Sequence, residues 1–314
     1  MPSGRQGSIH LFRLAGVDLY LHWSWFLVAV WEIEAGRGRY SSIAWNVLEY
    51  LALFLIVLMH EFGHAMACRS VGGKADRILL WPFGGVAYVR PPQRPGATLW
   101  SIAAGPLVNV ALAPVLFGVY MLGRAQGWGY TMPDVYHLAF AVLWIDIGLL
   151  LFNMLPVYPL DGGQILRSLL WFVLGRGRSL VVATVLGFAG IAALVGLAVW
   201  SRSLWTAAIC VFLLMNCWNG LQHARALLKL AKLPRREGFL CPSCKTAPLV
   251  GAFWRCDNCK QGFDTFWTRG ACPHCAHQHE RTICIDCQEV SPMTAWAAAA
   301  SVGMGVVSAS FETR

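Results

Sequence analysis

The chain has 314 residues, of which 57% are hydrophobic and 13% charged, against roughly a quarter charged in a soluble globular domain; an ordinary water-soluble enzyme is excluded and a membrane protein expected. The formal charge of +9 comes largely from Lys and Arg that flank apolar stretches, where membrane topology signals lie, so no nucleic acid is expected as a partner. Eight of the 11 cysteines stand in four C-x-x-C hooks in the last quarter, a metal-ligand spacing that implies reduced thiols and a cytosolic face.

In chain order, residues 1–16 are polar, and the first apolar run, Val17–Trp31, is long enough for a short span. Asp18 and His22 interrupt it and no small-residue cleavage site follows, so it is expected as a transmembrane helix and not as a signal peptide. His22 is a candidate for the active-site region, or a histidine holding a hydrogen bond near the inner interface. The second span, about Ile43–Cys68, carries H-E-F-G-H at 60–64. On a helix His60 and His64 stand four residues apart on one face, so both imidazoles can bind one zinc while Glu61 reaches its water. Ionisable groups in a membrane span are costly enough to be read as a functional site with partners nearby. Two ligands still leave a catalytic zinc one short.

After the zinc helix, Val71–Pro92 reads as a Gly-bounded turn and then ILLWPFGGVAYV, too short to cross as a helix and rich in strand formers. A small membrane-associated β hairpin is expected, with an edge that could receive an extended substrate by strand addition. The third span, about Thr98–Leu122, contains Gly105-Pro106 and Asn109, a kink signal followed by a polar group. The fourth, about Tyr136–Val157, carries Asp146 and Asn153 and leads into FNMLPVYPLDGGQ at 152–164, where Asp161 is the best candidate for the missing ligand. Two plain apolar helices, about Leu180–Trp200 and Leu204–Leu221, complete six spans and serve as scaffold or gate.

These segments resemble the site-2 protease family of intramembrane zinc metalloproteases. The matching residues are HEFGH at 60–64, Gly84-Gly85 after an apolar run, Ala104-Gly105-Pro106-x-x-Asn109, and Asn153-x-x-Pro156-x-x-Pro159-Leu160-Asp161-Gly162-Gly163. The resemblance covers about residues 8–225. It implies a polytopic α-helical membrane protease with His60, His64 and Asp161 as zinc ligands and Glu61 as the catalytic acid/base, and Asn153, Asn109, Gly84 and Gly85 are candidates for holding substrate. Asp146 departs from the family pattern, where a neutral polar residue, often Asn, is expected.

Topology follows from the basic residues around six spans. Arg5, Arg13, Arg69, Lys74, Arg77, Arg90, Arg94, Arg167, Arg176, Arg178, Arg225, Lys229, Lys232, Arg235 and Arg236 fall on one side, against Arg37, Arg39, Arg124 and Arg202 on the other. Both termini are therefore expected in the cytosol of a multi-pass protein of the cell membrane. His64 precedes Arg69 by five residues and Asp161 precedes Arg167 by six, so the expected ligands agree in depth if both segments stay helical.

Residues 1–232 are expected as the metalloprotease domain and 233–290 as a small cytosolic double zinc ribbon, with 291–314 a flexible apolar tail. The ribbon's hooks are Cys241/Cys244, Cys256/Cys259, Cys272/Cys275 and Cys284/Cys287. Eight thiolates make two closed four-cysteine sites, giving two structural zinc ions beside one catalytic ion. Spacing leaves the pairing of hooks open, with neighbours in order the simplest choice. Phe253, Trp254, Phe263, Phe266 and Trp267 are more aromatic surface than two knuckles can bury, so a protein-docking role is expected. Cys68, Cys210 and Cys217 are packing residues.

The expected function is hydrolysis of peptide bonds in membrane-spanning substrate proteins near the cytosolic face. Two other readings stay open: a membrane-anchored zinc protease cutting soluble or misfolded chains at the cytosolic surface, and a non-catalytic zinc scaffold or transporter.

Overall fold

The computed structural model describes residues 7–81 and 84–296; the polar lead at 1–6 and most of the expected tail, 297–314, lie outside them. The chain divides into two units, Met1–Leu227 and Leu228–Arg314.

The first unit begins with strands β1 (Ser8–Leu14) and β2 (Val17–His22), followed by helices α1 (Ser24–Ala35) and α2 (Ile43–Ser70). Strands β3 (Lys74–Trp81) and β4 (Gly84–Arg90) come next, then α3 (Pro95–Ala125), α4 (Trp128–Thr131), α5 (Pro133–Asn153), α6 (Asp161–Ser201) and α7 (Leu204–Ala231). Among the described residues four helices, α2, α3, α5 and α6, are long and apolar enough to cross a membrane, and only 11–28% of each apolar window is buried within the chain. A helix apolar all round that does not bury itself needs lipid around it. Helix α6 is broken at Gly175, whose φ of 77° and ψ of 170° no helix contains. The sixth expected span falls within α7.

The expected first span is corrected. Val17–Trp31 is not one helix: its first six residues form β2, and α1, with 12 residues, is about 18 Å long against a hydrocarbon core of about 30 Å. Strand β2 alternates, with Val17, Leu19 and Leu21 buried and Asp18, Tyr20 and His22 turned outward. Its buried face joins Ile78 and Leu80 of β3 and packs with Trp25, Val57, Leu58, Ala65 and Cys68 in one core.

The expected hairpin is accordingly half of a four-stranded sheet in the order β1-β2-β3-β4. Strands β3 and β4 pair antiparallel, with Trp81 opposite Gly84 and Leu80 opposite Gly85; β2 and β3 run parallel. A parallel pair needs a long crossover, and α1 with α2 supplies it. Arg69, in the last turn of α2, donates to the carbonyls of Ala15 and Gly16 in the β1–β2 turn and of Ala75 in β3, so the end of the motif helix is tied to the sheet on both sides.

The second unit is built from two small hairpins, β5 (Trp254–Arg255) with β6 (Gly262–Phe263) and β7 (Arg281–Ile283) with β8 (Val290–Pro292). Its four hooks share one backbone design. The residue after the second cysteine, Lys245, Lys260, Ala276 or Gln288, has φ between 56° and 61° or at 62°, and its N–H returns to the carbonyl of the first cysteine in every case. Trp254, Phe263, Phe266 and Trp296 are buried among the cysteines, while Phe253 is 43% and Trp267 75% exposed. The expected tail boundary at 291 is corrected: Ser291 and Pro292 belong to β8, and Trp296, wholly buried, packs on Phe266 with ring centroids 4.7 Å apart.

Candidate metal centre and active-site cavity

Three elements bring the membrane site together. Helix α2 presents His60 and His64 one turn apart, and Asp161 is the first residue of α6. His60 Nε2 lies 3.0 Å from Asp161 Oδ2 and 3.1 Å from His64 Nε2, and His64 Nε2 lies 3.4 Å from Asp161 Oδ2. All three side chains are buried.

Helix α3 orients both rings from behind. His64 Nδ1 donates to the carbonyl of Ser101 at 2.9 Å, and His60 Nδ1 donates to Asn109 Oδ1 at 2.6 Å. With both Nδ1 atoms engaged, both Nε2 lone pairs turn to the centre, the arrangement that metal-binding histidines use. Helix α3 reaches this close because residue 105 is glycine: a Cβ there would stand 2.3 Å from His64 Nε2 and 2.8 Å from His60 Nε2. Asp161 is placed by a tight return of the chain. A Cβ on Gly162 would fall 2.3 Å from the carbonyl oxygen of Met154, and one on Gly163 2.6 Å from the amide of Tyr158, so the Pro-rich segment can fold back on the first turn of α6 only over two glycines.

The donor set fits zinc. Two imidazoles and a carboxylate with one position left open is a catalytic-type set, and ligands about 2.0–2.1 Å from a tetrahedral zinc stand about 3.3 Å from one another, close to the observed 3.0–3.4 Å. Glu61 is buried beside His60 and opens on the same cavity, of about 610 Å³, lined further by Trp81 and Tyr88 of the sheet, Asn153, Gln164, and Phe212 and Asn216 of α7.

Of the residues expected to hold substrate, Asn153 lines this cavity and Gly84 and Gly85 lie on β4, an edge strand of the sheet. Asn109 is corrected: it is wholly buried, with its carbonyl on His60 and its amide N–H on Asp146, and is out of a substrate's reach. His22 takes its second reading, bonded to Ser24 and stacked on Trp81 with centroids 4.3 Å apart. Ser101, Gln164 and Asn216 carry no motif signal that singles them out, and Gly105, read as part of a kink and of the family match, makes room for the two imidazoles instead; a carbonyl acceptor and a missing side chain are visible only in three dimensions.

In the second unit the eight cysteines form two groups, Cys241, Cys244, Cys284 and Cys287, and Cys256, Cys259, Cys272 and Cys275. Pairing of neighbouring hooks in order is thus overturned in favour of a nested arrangement, outer with outer and inner with inner. The chain's return explains it: Leu240 N–H bonds the carbonyl of Trp296, Arg235 makes a two-point ion pair with Asp286, and the Trp254 indole donates to Ile283. Sulfur–sulfur distances of 3.6–3.7 Å suit the edges of a tetrahedral site with metal–sulfur bonds of about 2.3 Å.

The model of peptidase family M50 matches residues 49–132 and 129–197. A zinc metalloprotease of Methanocaldococcus jannaschii is 35% identical over 180 residues, 57% of this chain and 50% of that protein. YwhC of Bacillus subtilis is 30% identical over 42% of this chain and 74% of its own length. Among solved structures, the site-2 protease from Methanocaldococcus jannaschii aligns with a TM-score of 0.50 and 28% identity, covering 68% of this chain and 95% of that one. The matched stretch spans only 50%, 61% and 44% of three longer relatives.

Proposed function

This chain belongs to peptidase family M50, and from that premise we propose that it is an intramembrane zinc endopeptidase that cuts membrane-spanning proteins near the cytosolic face. The observation that carries the proposal is the meeting of His60, His64, Asp161 and Glu61 at one wall of a cavity lined by apolar, span-length helices together with the sheet and α7.

His60, His64 and Asp161 hold the metal in this reading. A zinc held there would supply Lewis-acid polarisation of a scissile carbonyl and a lowered pKa for water. Glu61 takes the proton of that water and returns it to the leaving amine, as a carboxylate in hydrogen-bond reach of both can. A helical substrate hides its peptide bonds, so its scissile segment must unwind first. The outer edge of β4 at Gly84 and Gly85 offers that segment backbone groups, and Asn153 offers an amide from the cavity wall. Polar groups at such depth are tolerated only where they line a wet cavity or are packed on protein.

Both termini lie in the cytosol in this proposal, because β2 and α1 together, in place of one spanning helix, carry the chain from Gly16 at the Arg69 end of α2 to Gly36 beside Asn46 near its start; the second unit, with two closed four-cysteine sites, does no chemistry and docks a protein partner through exposed aromatics such as Trp267. The test compares the proteins that accumulate in membranes holding wild type or Glu61→Gln. Accumulation of an uncut membrane protein in the variant is expected; unchanged membrane proteomes, together with no cleavage of any membrane-spanning substrate by purified wild type, would refute it. Single introduced cysteines at the termini and at Gly36 check topology, and labelling of Gly36 from the cytosol would overturn it.

A further inference from the structure

The two histidines of the membrane site are oriented by unequal partners. His64 donates to a backbone carbonyl, Ser101 O, which can only accept. His60 faces the side-chain amide of Asn109, whose two ends have nearly the same shape and opposite hydrogen-bonding roles. Turned over, Asn109 would present its N–H to His60 Nδ1, the ring proton would move to Nε2, and the nitrogen that stands 3.0 Å from Asp161 and 3.1 Å from His64 would have no lone pair to offer.

We propose that Asp146 is a positioning residue that prevents this. Its Oδ1 accepts from Asn109 Nδ2 at 2.7 Å, and a carboxylate oxygen has no proton to give the amide carbonyl, so the N–H end must face Asp146 and the carbonyl must face His60. The relay runs Asp146 on α5, Asn109 on α3, His60 on α2, and both Asp146 and Asn109 are wholly buried. The second oxygen of Asp146 has no hydrogen-bond partner among the described residues. A buried carboxyl in a membrane span with a single partner is costly, and directing Asn109 is the one service its contacts show.

The inference rests on His60 being a metal ligand, and the experiment separates the two. Zinc equivalents per purified full-length chain are titrated against a graded series of chelators for wild type, His60→Ala, Asp146→Leu, Asp146→Asn and the exchange Asn109→Asp/Asp146→Asn. His60→Ala identifies the equivalent that belongs to the membrane site; if it removes none, the ligand assignment itself fails. Asp146→Leu should weaken that same equivalent about 10–100-fold, as loss of a partner behind a metal-binding histidine does. Asp146→Asn should fall between Asp146→Leu and wild type, because an amide opposite an amide leaves both orientations open. The exchange gives His60 Nδ1 an acceptor-only carboxylate and keeps the carboxylate–amide bond, so it should restore wild-type affinity. Wild-type affinity in both single Asp146 variants, or an exchange no tighter than Asp146→Asn, would overturn the role of Asp146 while leaving His60 as a ligand. The comparison of Asp146→Asn with the exchange decides the matter even if Asp146→Leu does not fold.

Discussion

Gly63 of α2 and Ala104 of α3 touch backbone to backbone: a Cβ on Gly63 would lie 2.7 Å from the carbonyl oxygen of Ala104. The glycine inside the H-E-F-G-H motif thus sets the distance between the helix that carries the histidines and the helix that orients them. Gly63→Ala should push α3 away and lengthen the bonds from His64 to Ser101 and from His60 to Asn109. Overpacking of this kind costs about 1–3 kcal/mol. Zinc analysis of the purified variant should show loss of the membrane-site metal with the ribbon metal kept, and Gly105→Ala should do the same more severely. Full zinc content with normal cleavage in both would mean that the helices can separate without disturbing the site.

The three proposed ligands and Glu61 should divide by what they lose. His60→Ala, His64→Ala and Asp161→Ala are each expected to lose one zinc equivalent and all cleavage, since a three-ligand site does not hold its metal on two. Glu61→Gln should keep the metal and lose about 10²–10⁴ in turnover, the usual worth of a positioned acid/base. Cleavage of a membrane-spanning model substrate, measured beside metal content, checks both. Normal occupancy and cleavage in Asp161→Ala would remove Asp161 from the site.

Truncation after Lys232 should leave a membrane domain that still cuts an accessible model substrate and cuts its natural substrate poorly or without control. Equal loss on every substrate, with zinc still bound at His60 and His64, would make the second unit part of the catalytic machinery.

Asp264 gives the ribbon a pH dependence with a definite sign. Burial pulls its carboxyl upward, but the amides of Gly251 and Trp267 and the Arg236 guanidinium outweigh that and hold it below the usual carboxylate range. A depressed folded-state pKa stabilises above the unfolded value, about 3.9, and the contribution fades as pH falls through the folded value. Asp264→Asn should therefore destabilise the ribbon at neutral pH, by about 1.5–3 kcal/mol for bonds to a charged group, and the gap from wild type should narrow toward acid. Hydrogen exchange of the amides around Gly251 and Trp267 reads it; a gap that widened below pH 4 would be the wrong sign.

What the sequence made legible was chemistry written in residue identity: H-E-x-x-H, the Asp-Gly-Gly segment and the cysteine hooks all stand where their motifs place them. Strand β2 was hidden because Val17, Leu19 and Leu21 add to the hydropathy of Val17–Trp31 as a helix would, and only the alternation with Asp18, Tyr20 and His22 shows the period of two. Asn109 carries the same amide whether it meets a substrate or a histidine, so its partner is decided by the crossing of α2, α3 and α5. Hook spacing constrains two sulfurs of one knuckle and says nothing of which knuckle completes the tetrahedron.

Nested hooks impose an order of assembly. The inner site closes across as few as 13 residues, Cys259 to Cys272, and the outer across 40, Cys244 to Cys284. Loop-closure entropy favours the shorter ring by about 1 kcal/mol, and once it is closed the outer ring is shorter too. During synthesis Cys256–Cys275 is complete before Cys284 has been made, so a growing chain can load its inner metal while the outer hook still waits for a partner. Limiting zinc added to metal-stripped chain should protect Cys256, Cys259, Cys272 and Cys275 from alkylation before the outer four. In a cell short of zinc, the half-loaded ribbon would keep its inner knot and leave both ends of the module, at Cys241 and Cys287, untied.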